Sequence, residues 1–371
     1  MMKIMFVIHA LNRMGGAERI LTNYANYFAS KGEEVAITLL SKDDINFELH
    51  KSISIYQYTD NRFYGYVPKK IRRFIQQVKY IADSLDHYDP DIVISFVAST
   101  NILSTFSAKL AKKPVILAER SSYHKTLVTT RGKLGAIIWK ALRRIIYPYA
   151  DQVIVLTEED KPKYYYAKDV RVIPNPLILQ HRYTGIEREN IILGVGRLHE
   201  VKGFDMLIRA FSQIHSSGWK LIIAGEGSER TSLERLINEL DISDKVELAG
   251  LIDDIELYYK KASIYVLSSR SEGYPGGLCE AMGYGCASIA FDCPTGPKEI
   301  IADGEDGLLI EPNDIDKLAI AMQNLIDNKE KREELGMNAR KILDRLDVET
   351  IGQQWKDSMV TTINRYKKEH Q

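Results

Sequence analysis

Two glutamates eight positions apart, Glu272 and Glu280, are the residues whose spacing first points to chemistry. They flank the glycine-rich sequence GYPGG, which runs into the start of a predicted helix. The first N–H groups of a helix have no partner within the helix, so they can bind phosphate oxygens. Carboxylates on either side can accept hydrogen bonds from hydroxyl groups. The stretch therefore predicts a sugar-nucleotide site, although glutamates at this spacing also occur on ordinary surface helices.

Two further loops that follow predicted strands carry residues suited to the same kind of ligand. Gly15 and Gly16 precede a helix, where they either let the backbone approach an anion or form a plain turn. Arg197 and Lys202 lie five positions apart after a strand. They can clamp a diphosphate, or they remain solvated surface cations.

Two glycine-containing loops give weaker signals. Gly225 and Gly227 lie between a strand and a helix and predict only a turn. Thr295 and Gly296 precede a helix that contains Glu299. At this position helix capping and ligand contact fit equally well.

The elements that must position these loops alternate between short apolar strands and helices along all 371 residues. Strands are predicted at 3–10, 34–40, 91–97, 114–119 and 151–157, and again in ENIILGVGRL, WKLIIAGEG, KVELAGL, ASIYVLSS, CASIAFD and GLLIEP. Helices of the second half are predicted at 203–215, 229–240, 278–284 and 314–327. This alternation predicts an α/β fold with parallel, doubly wound sheets. Pro174, Pro176 and a polar stretch to Asn190 predict the linker between two domains.

The order of five stretches carries a resemblance over nearly the whole chain. These are GGAER, GRLHEVKGFD, IAGEGSER, SEGYPGGLCEAMGYG and GLLIEPND. Together they resemble the retaining glycosyltransferases of family 4, which implies the GT-B architecture of two Rossmann-like domains facing a cleft. The implied domains are an acceptor-binding domain at 1–180, a nucleotide-sugar-binding domain at 181–350 and a helix at 351–371 that crosses back to the first domain.

The resemblance also implies a role for each candidate site residue. Arg197 and Lys202 would neutralise the donor diphosphate, and these two with Glu272, near the donor sugar, would form the catalytic set. Glu280 would bind the nucleotide ribose. Backbone amides in the intervening loop would hold phosphate and sugar oxygens, and the first glycine loop would close on the donor from the other domain. The implied donor-site residues of these loops are Gly15, Gly16, Gly273, Tyr274, Gly276, Gly277 and Leu278.

The chain departs from the family pattern at Arg120. Many relatives have a histidine at this position, and arginine cannot accept a proton in its place. Arg120 is instead expected to orient the acceptor or donor, and His124 is either a substitute for the missing histidine or an exposed loop residue. The sequence LAERS resembles a subgroup that transfers galactose or N-acetylhexosamine in surface polysaccharide assembly.

No metal or cofactor is expected. Asp89-Pro90-Asp91 matches the D-x-D pattern of metal-dependent glycosyltransferases, but it precedes a strand, whereas ligands bind at the carboxyl ends of parallel strands. We interpret it as a turn. The three cysteines, an odd number without a histidine cluster, are predicted to be small core residues.

Net charge is zero overall but not within each half. Residues 1–185 contain 27 Lys+Arg and 17 Asp+Glu, a balance of +10, which leaves 23 and 33, a balance of −10, for residues 186–371. No nucleic-acid-binding pattern accompanies the cations, so no nucleic acid is expected. Basic amphipathic segments at 68–85 and 131–149 predict either peripheral contact with an anionic membrane or ordinary helices with solvated charges.

The leading interpretation is a cytoplasmic hexosyltransferase that retains anomeric configuration and uses no metal. It would transfer a hexose or N-acetylhexosamine from a UDP-sugar to a lipid-linked oligosaccharide at the inner face of the membrane. No apolar run reaches the roughly 20 residues that span a bilayer, and no signal peptide is predicted. The alternatives are a UDP-sugar epimerase or hydrolase, and a non-catalytic sugar-nucleotide-binding protein of GT-B fold.

Overall fold

The computed structural model describes residues 1–12, 15–58, 69–123, 132–179 and 187–371 of the chain. These residues divide into two compact units. Unit 1 comprises Met1–Pro176 and Val348–Gln371, and unit 2 comprises Leu177–Asp347. The divisions lie four and three residues before the predicted domain boundaries at 180 and 350.

Unit 1 is built on a seven-stranded sheet in the order β3-β2-β1-β4-β5-β6-β7, with parallel pairing throughout the described strands. The strands are β1 Lys3–Ile8, β2 Glu34–Leu39, β3 Ser54–Gln57, β4 Ile92–Phe96, β5 Val115–Ala118, β6 Gln152–Val155 and β7 Val170–Val172. The helices up to residue 146 are α1 Gly16–Ser30, α2 Lys69–Tyr88, α3 Ala98–Leu110 and α4 Gly132–Ile146. Strands β4 to β6 are buried at every position, which explains why they read as continuous apolar runs.

Unit 2 contains a six-stranded parallel sheet in the order β10-β9-β8-β11-β12-β13. Its strands are β8 Glu189–Val195, β9 Lys220–Ala224, β10 Val246–Gly250, β11 Ala262–Leu267, β12 Ala287–Phe291 and β13 Leu308–Ile310. Its helices are α5 Phe204–Ser212, α6 Arg230–Glu239, α7 Ile255–Lys261, α8 Gly276–Gly283, α9 Pro297–Ile300, α10 Ile315–Asp327, α11 Lys329–Ala339 and α12 Ile342–Arg345.

Both sheets have the Rossmann strand order. The second and third strands are added on one side of the first strand, and the chain then crosses over to add the fourth and later strands on its other side. In unit 2 this switch point lies between β8 and β11, and the crevice at the carboxyl ends of such strands is where ligands bind in this fold. The predicted pair of doubly wound α/β sheets is therefore confirmed.

The last helix, α13 Val348–Glu369, belongs to unit 1. Trp355 is buried there, with its ring 5.1 Å from the ring of Tyr24 and stacked 6.3 Å from that of Phe96. The prediction that the C-terminal helix packs on the N-terminal domain is confirmed.

Two strands, β3 and β7, were not predicted from the sequence. The edge strand β3 has four residues, none of them buried, and β7 has three half-buried residues. Neither is long enough or apolar enough for a periodic signal, because an edge strand is held mainly by backbone hydrogen bonds to its neighbour.

Helix α4 corrects one interpretation of the basic segments. Arg143 was expected among their surface cations, but its side chain is 0% exposed. Trp139 lies four positions before Arg143 and Ile146 three positions after it, so the three side chains share one face of α4. This face is turned inward. Ile137 and Ile145 on other faces of the helix are 65% and 64% exposed.

Candidate functional site

The loop after β8 places Arg197 and Lys202 beside the switch point of unit 2. Arg197 is exposed. Lys202 ends a short 3-10 turn, Glu200–Lys202, and Gly203 follows with φ 63° before α5 begins. A Cβ atom on Gly203 would lie 2.1 Å from the carbonyl oxygen of Ser268, so only glycine lets this loop approach the end of β11.

The segment after β11 is fastened to that loop. The backbone N–H of Arg270 donates to the carbonyl of Val201 at 2.8 Å. Its guanidinium donates to both carboxylate oxygens of Asp205, at 2.8 and 2.7 Å. Burial opposes ionisation of Asp205, but the Arg270 guanidinium lowers the pKa of that carboxyl. The bidentate pair therefore fixes the spacing between the two loops.

The loops bring together two predicted site residues that are 70 positions apart in the sequence. Lys202 Nζ donates to Oε1 of Glu272 at 2.6 Å, and the hydroxyl of Ser269 donates to the same oxygen at 2.6 Å. Glu272 is 5% exposed, so its carboxylate is held by two donors in a largely desolvated position. Ser269 was not predicted as a site residue, although the two serines Ser268 and Ser269 that follow the apolar strand β11 were an available signal.

The glycines of the loop after β9 do more than form the predicted turn. A Cβ on Gly225 would lie 1.9 Å from the carbonyl oxygen of Gly196, and one on Gly227 would lie 2.1 Å from that of Leu198. The N–H of Leu198 donates to the carbonyl of Glu226 at 2.9 Å. The second loop thus packs directly against the backbone on either side of Arg197 and holds it in place.

Glu280 lies in α8 and is positioned by Tyr259, a residue that no sequence motif marks. The hydroxyl of Tyr259 donates to Oε2 of Glu280 at 3.1 Å. Burial and then the Glu280 charge raise the pKa of Tyr259 well above its usual range, which keeps the hydroxyl a donor. A Cβ on Gly277 would lie 3.0 and 3.2 Å from the hydroxyl oxygens of Tyr265 and Tyr259, so a larger residue would press on both tyrosines.

The amino end of α8 offers some of the predicted backbone donors and not others. The N–H of Leu278 already donates to the carbonyl of Pro275 at 3.1 Å. The N–H groups of Gly276 and Gly277 belong to the first turn, where a helix provides no acceptor of its own. The Leu278 amide therefore has a backbone acceptor in this structure, and its contact with the donor stays a prediction.

The loop that includes Gly273 and Tyr274 is supported from below by Thr295. The Thr295 hydroxyl donates to the carbonyls of Gly273 and Glu272, at 3.1 and 3.3 Å, rather than capping the following helix. The Glu272 N–H in turn donates to the carbonyl of Pro294 at 2.9 Å. Thr295 therefore holds the loop that carries the candidate carboxylate.

Unit 1 holds the remaining candidates at the carboxyl ends of its own strands. Gly15 precedes α1, and a Cβ there would lie 2.2 Å from Oε2 of Glu18, while Gly16 is exposed with open space around it. His124, the other acceptor candidate, lies outside the described residues.

Arg120 follows β5 and is packed among aromatic rings. Its guanidinium carbon lies 5.1 Å from the ring centre of Phe96 and 5.3 Å from that of Trp355. Nη1 donates to the side chain of Asn175 at 2.9 Å, whereas Nε and Nη2 are buried and have no hydrogen-bond partner among the described residues. Burial lowers the pKa of this arginine. These two nitrogens carry three N–H groups that have no acceptor in the described part of the chain.

The D-x-D pattern lies where the sequence predicted, at the amino end of β4. Asp89 forms an ion pair with Lys113, and Oδ2 of Asp91 accepts from the backbone N–H of Lys3 at 2.8 Å. No group of three or more His, Cys, Asp or Glu side chains in the described ranges is arranged to hold a metal ion. The three cysteines are free and buried, as expected of core residues.

No helix within the described part of the chain combines the length and the apolar character needed to cross a membrane.

Two family models together match residues 14–342. The model of "Glycosyltransferase Family 4" matches residues 14–181, and that of "Glycosyl transferases group 1" matches residues 179–342. The second includes every candidate of unit 2, and the first includes Gly15, Gly16 and Arg120.

Individual proteins match over nearly the full length. A "GalNAc-alpha-(1->4)-GalNAc-alpha-(1->3)-diNAcBac-PP-undecaprenol alpha-1,4-N-acetyl-D-galactosaminyltransferase" of Campylobacter jejuni is 30% identical over 366 residues, covering 96% of this chain and 97% of that protein. The solved structure of the lipopolysaccharide outer core galactosyltransferase WaaB has a TM-score of 0.77 at 20% identity, covering 97% of this chain and 99% of that one. HepE of Anabaena, solved in complex with UDP, has a TM-score of 0.78 at 18% identity, covering 97% of this chain and all of that one. Since both structures are below 25% identity, they establish the GT-B fold and no more.

Proposed function

Because the chain belongs to the family 4 glycosyltransferases and is a glycosyltransferase of surface polysaccharide biosynthesis, we propose the reaction in finer terms. It transfers a hexose or N-acetylhexosamine from a UDP-sugar to a lipid-linked oligosaccharide. The anomeric configuration is retained, as the family resemblance of the E-x7-E stretch implies, and no metal ion takes part.

The observation that carries this proposal is the contact of Lys202 with Glu272 at the switch point of unit 2. A lysine ammonium, an exposed arginine in the same loop and a buried carboxylate converge where this fold binds nucleotides. The two cations would neutralise the diphosphate as its charge grows during departure of the leaving group. Arg197 is suited to this role because, among the described residues, no carboxylate pairs with it.

Glu280 supports a nucleoside diphosphate donor. Its carboxylate is oriented by the buried Tyr259 hydroxyl and lies one turn of α8 beyond the free N–H groups of Gly276 and Gly277. A carboxylate can accept from two vicinal hydroxyl groups, such as those of a ribose. The choice of UDP rests on the bound UDP in the similarly folded Anabaena protein.

Metal independence is proposed from the chemistry of the same site. Arg197, Lys202 and the amino end of α8 supply the positive charge that a divalent ion supplies elsewhere. Asp89 and Asp91 lie at the amino end of β4, the edge opposite the carboxyl ends where ligands bind, and their carboxylates already have partners.

The acceptor class comes from the Campylobacter relative, whose name specifies a glycan on PP-undecaprenol. Arg120 would contact the acceptor through the N–H groups of Nε and Nη2, which have no acceptor among the described residues and favour a negatively charged group.

The surface of unit 1 suits a substrate held in a membrane. Exposed apolar side chains project from three neighbouring helices, α2, α3 and α4: Ile71, Phe74, Ile75, Phe106, Leu110, Ile137, Ile138, Leu142 and Ile145. Phe74 and Phe106 contact each other edge to face, with ring centres 5.7 Å apart, so α2 and α3 share one surface. The sequence between Arg120 and Ala150 contains no acidic residue. We propose that this surface lies on the inner face of an anionic membrane.

A direct assay tests the proposal. The purified protein is incubated with UDP-sugars, with and without a polyprenyl-diphosphate-linked oligosaccharide, and UDP release and the anomeric linkage of the product are measured. Acceptor-dependent UDP release is expected. UDP release that is independent of acceptor would indicate a hydrolase or epimerase, and binding without turnover would indicate a non-catalytic sugar-nucleotide-binding protein.

A further inference from the structure

We propose that Lys202 has two alternative partners, the Glu272 carboxylate and the donor diphosphate, so that phosphate binding releases Glu272 to bind the donor sugar. Glu272 then disfavours binding of UDP and favours binding of the UDP-sugar, and it thereby promotes release of the product UDP. This inference rests on the proposed function, because it assigns a UDP-sugar to this site.

The first step is the state of Lys202. Its ammonium is 2.6 Å from Oε1 of Glu272, and this is the single hydrogen bond it makes among the described residues. The side chain is 22% exposed, whereas that of Glu272 is 6% exposed. The lysine that should face the diphosphate is therefore already paired with a carboxylate. This ion pair has to break before the ammonium can bind a phosphate.

The second step is the freedom of Lys202 to move. A lysine carries its charge on four rotatable carbons, and its three N–H donors impose little directional constraint. The stem crosses Gly196, where a Cβ would lie 3.1 Å from Cε of Lys202. The glycine lets the stem lie directly against the loop backbone, which Gly203 anchors to the end of β11, so rotation about the side-chain bonds can move the ammonium while the backbone stays in place.

The third step is that Glu272 stays in place when Lys202 leaves. The Ser269 hydroxyl donates to Oε1 of Glu272 at 2.6 Å. The backbone N–H of Glu272 donates to the carbonyl of Pro294 at 2.9 Å, and the backbone carbonyl of Glu272 accepts from the N–H of Thr295 at 3.0 Å. Oε2 has no hydrogen-bond partner among the described residues. Once Lys202 has moved, Glu272 has acceptor capacity for a sugar hydroxyl but no longer a cation beside it.

The two ligands that share the phosphate site, UDP-sugar and UDP, should therefore differ in affinity. A UDP-sugar breaks the ion pair but offers hydroxyl donors to the released carboxylate. UDP breaks the same pair and leaves Glu272 buried without a replacement donor apart from Ser269, which is unfavourable for a desolvated charge. The contact therefore weakens binding of UDP relative to the intact donor.

Calorimetric titration with UDP tests this in four proteins: wild type, Glu272→Gln, Lys202→Met and the double variant. Glu272→Gln keeps the shape of the side chain but removes the charge that holds Lys202, so UDP should bind about tenfold more tightly than to wild type, the size of a hydrogen bond to a charged group. Lys202→Met keeps the aliphatic stem over Gly196 and should weaken UDP binding. In the double variant Glu272→Gln should have no further effect, because the shared partner is gone.

Two results would overturn the inference while leaving the donor class intact. One is a Glu272→Gln variant that binds UDP no more tightly than wild type. The other is tightening that persists in the Lys202→Met background, since that would reflect general repulsion between carboxylate and phosphate. Failure of every variant, including wild type, to bind UDP would instead remove the proposed donor, and this inference with it.

Discussion

The guanidinium of Arg143 donates to Oε2 of Glu119 at 2.9 Å, and both side chains are buried, at 0% and 2% exposed. The hydroxyl of Tyr147 donates to the other oxygen of the same carboxylate, and Asn101 Nδ2 also donates to it at 3.2 Å. Burial alone would lower the pKa of Arg143, but the Glu119 carboxylate raises it above its usual range. The pair joins α4 to the residue directly before Arg120, and Ile137, Ile138 and Ile145 lie exposed on the other faces of the helix.

Loss of this pair should destabilise the protein. Replacing Arg143 with Met leaves the Glu119 carboxylate buried without its cation, and we expect a loss of about 3–5 kcal/mol in the free energy of unfolding. Arg144→Met is the matched control, because Arg144 is exposed and lies over the ring of Tyr165 at 5.4 Å. Urea denaturation of both variants measures the difference. Equal stabilities would show that the Arg143 pair contributes nothing beyond a surface contact.

Removal of either site cation should reduce turnover. Arg197→Ala and Lys202→Met each delete charge that the departing diphosphate needs, so kcat should fall by a factor on the order of 10² or more. Lys220→Ala removes an exposed cation at the amino end of β9, the opposite edge of the sheet, and should leave kcat unchanged. Wild-type kcat in both site variants, measured as UDP release with acceptor present, would exclude the diphosphate clamp.

The Tyr259–Glu280 contact should govern nucleotide affinity. Glu280→Gln weakens acceptance from the ribose hydroxyls, and Tyr259→Phe removes the donor that orients the carboxylate, so each should weaken UDP binding about tenfold. Glu247→Gln changes an exposed carboxylate on β10 and serves as the control. Calorimetry with UDP gives the affinities. The ribose assignment does not survive if Glu280→Gln binds UDP as wild type does.

Activity should persist in EDTA. The positive charge at the site comes from Arg197, Lys202 and the first turn of α8, so chelation should change kcat by less than about twofold. Asp89→Asn should likewise have little effect on activity, since it weakens only a surface ion pair with Lys113. Abolition of activity by EDTA with rescue by Mn²⁺ would contradict the proposal.

Membrane binding should depend on the outer face of α4. Ile138 and Ile145 are seven positions apart on one face and are 51% and 64% exposed. Replacing both with Gln removes apolar side chains worth roughly 1.5–3 kcal/mol each when fully buried, so binding to anionic vesicles should fall at least tenfold.

The control for the membrane prediction is Ile320→Gln in α10 of unit 2, where the side chain is 60% exposed. It should sediment with vesicles as wild type does. Part of the binding should also survive high salt, because the apolar contribution is not screened. Wild-type protein that stays in the supernatant at low salt would remove the membrane from the proposal.

The sequence by itself determined the alternation of buried strands with helices and the place of the candidate loops, but not the short strands β3 and β7. Buried parallel strands are continuous apolar runs, and glycines are typical of the loops between strands and helices. Strands β8 and β11 and the start of α8 could therefore be located from local patterns. The backbone hydrogen bonds within each helix follow from those patterns, because they join residues that are close in the sequence. The order of GGAER, GRLHEVKGFD, IAGEGSER, SEGYPGGLCEAMGYG and GLLIEPND likewise indicated the family.

Tertiary structure decided which side chains meet. Lys202 and Glu272 follow different strands, and their contact exists because the sheet order places β8 next to β11, which no local periodicity encodes. The requirement for Gly225 and Gly227 likewise comes from a neighbouring backbone. Arg143 illustrates the same limit within a helix. Its charge predicted a surface position, but Glu119 at the end of β5 offers a buried counter-charge, and that long-range pairing outweighs the cost of desolvation that would otherwise keep an arginine in water.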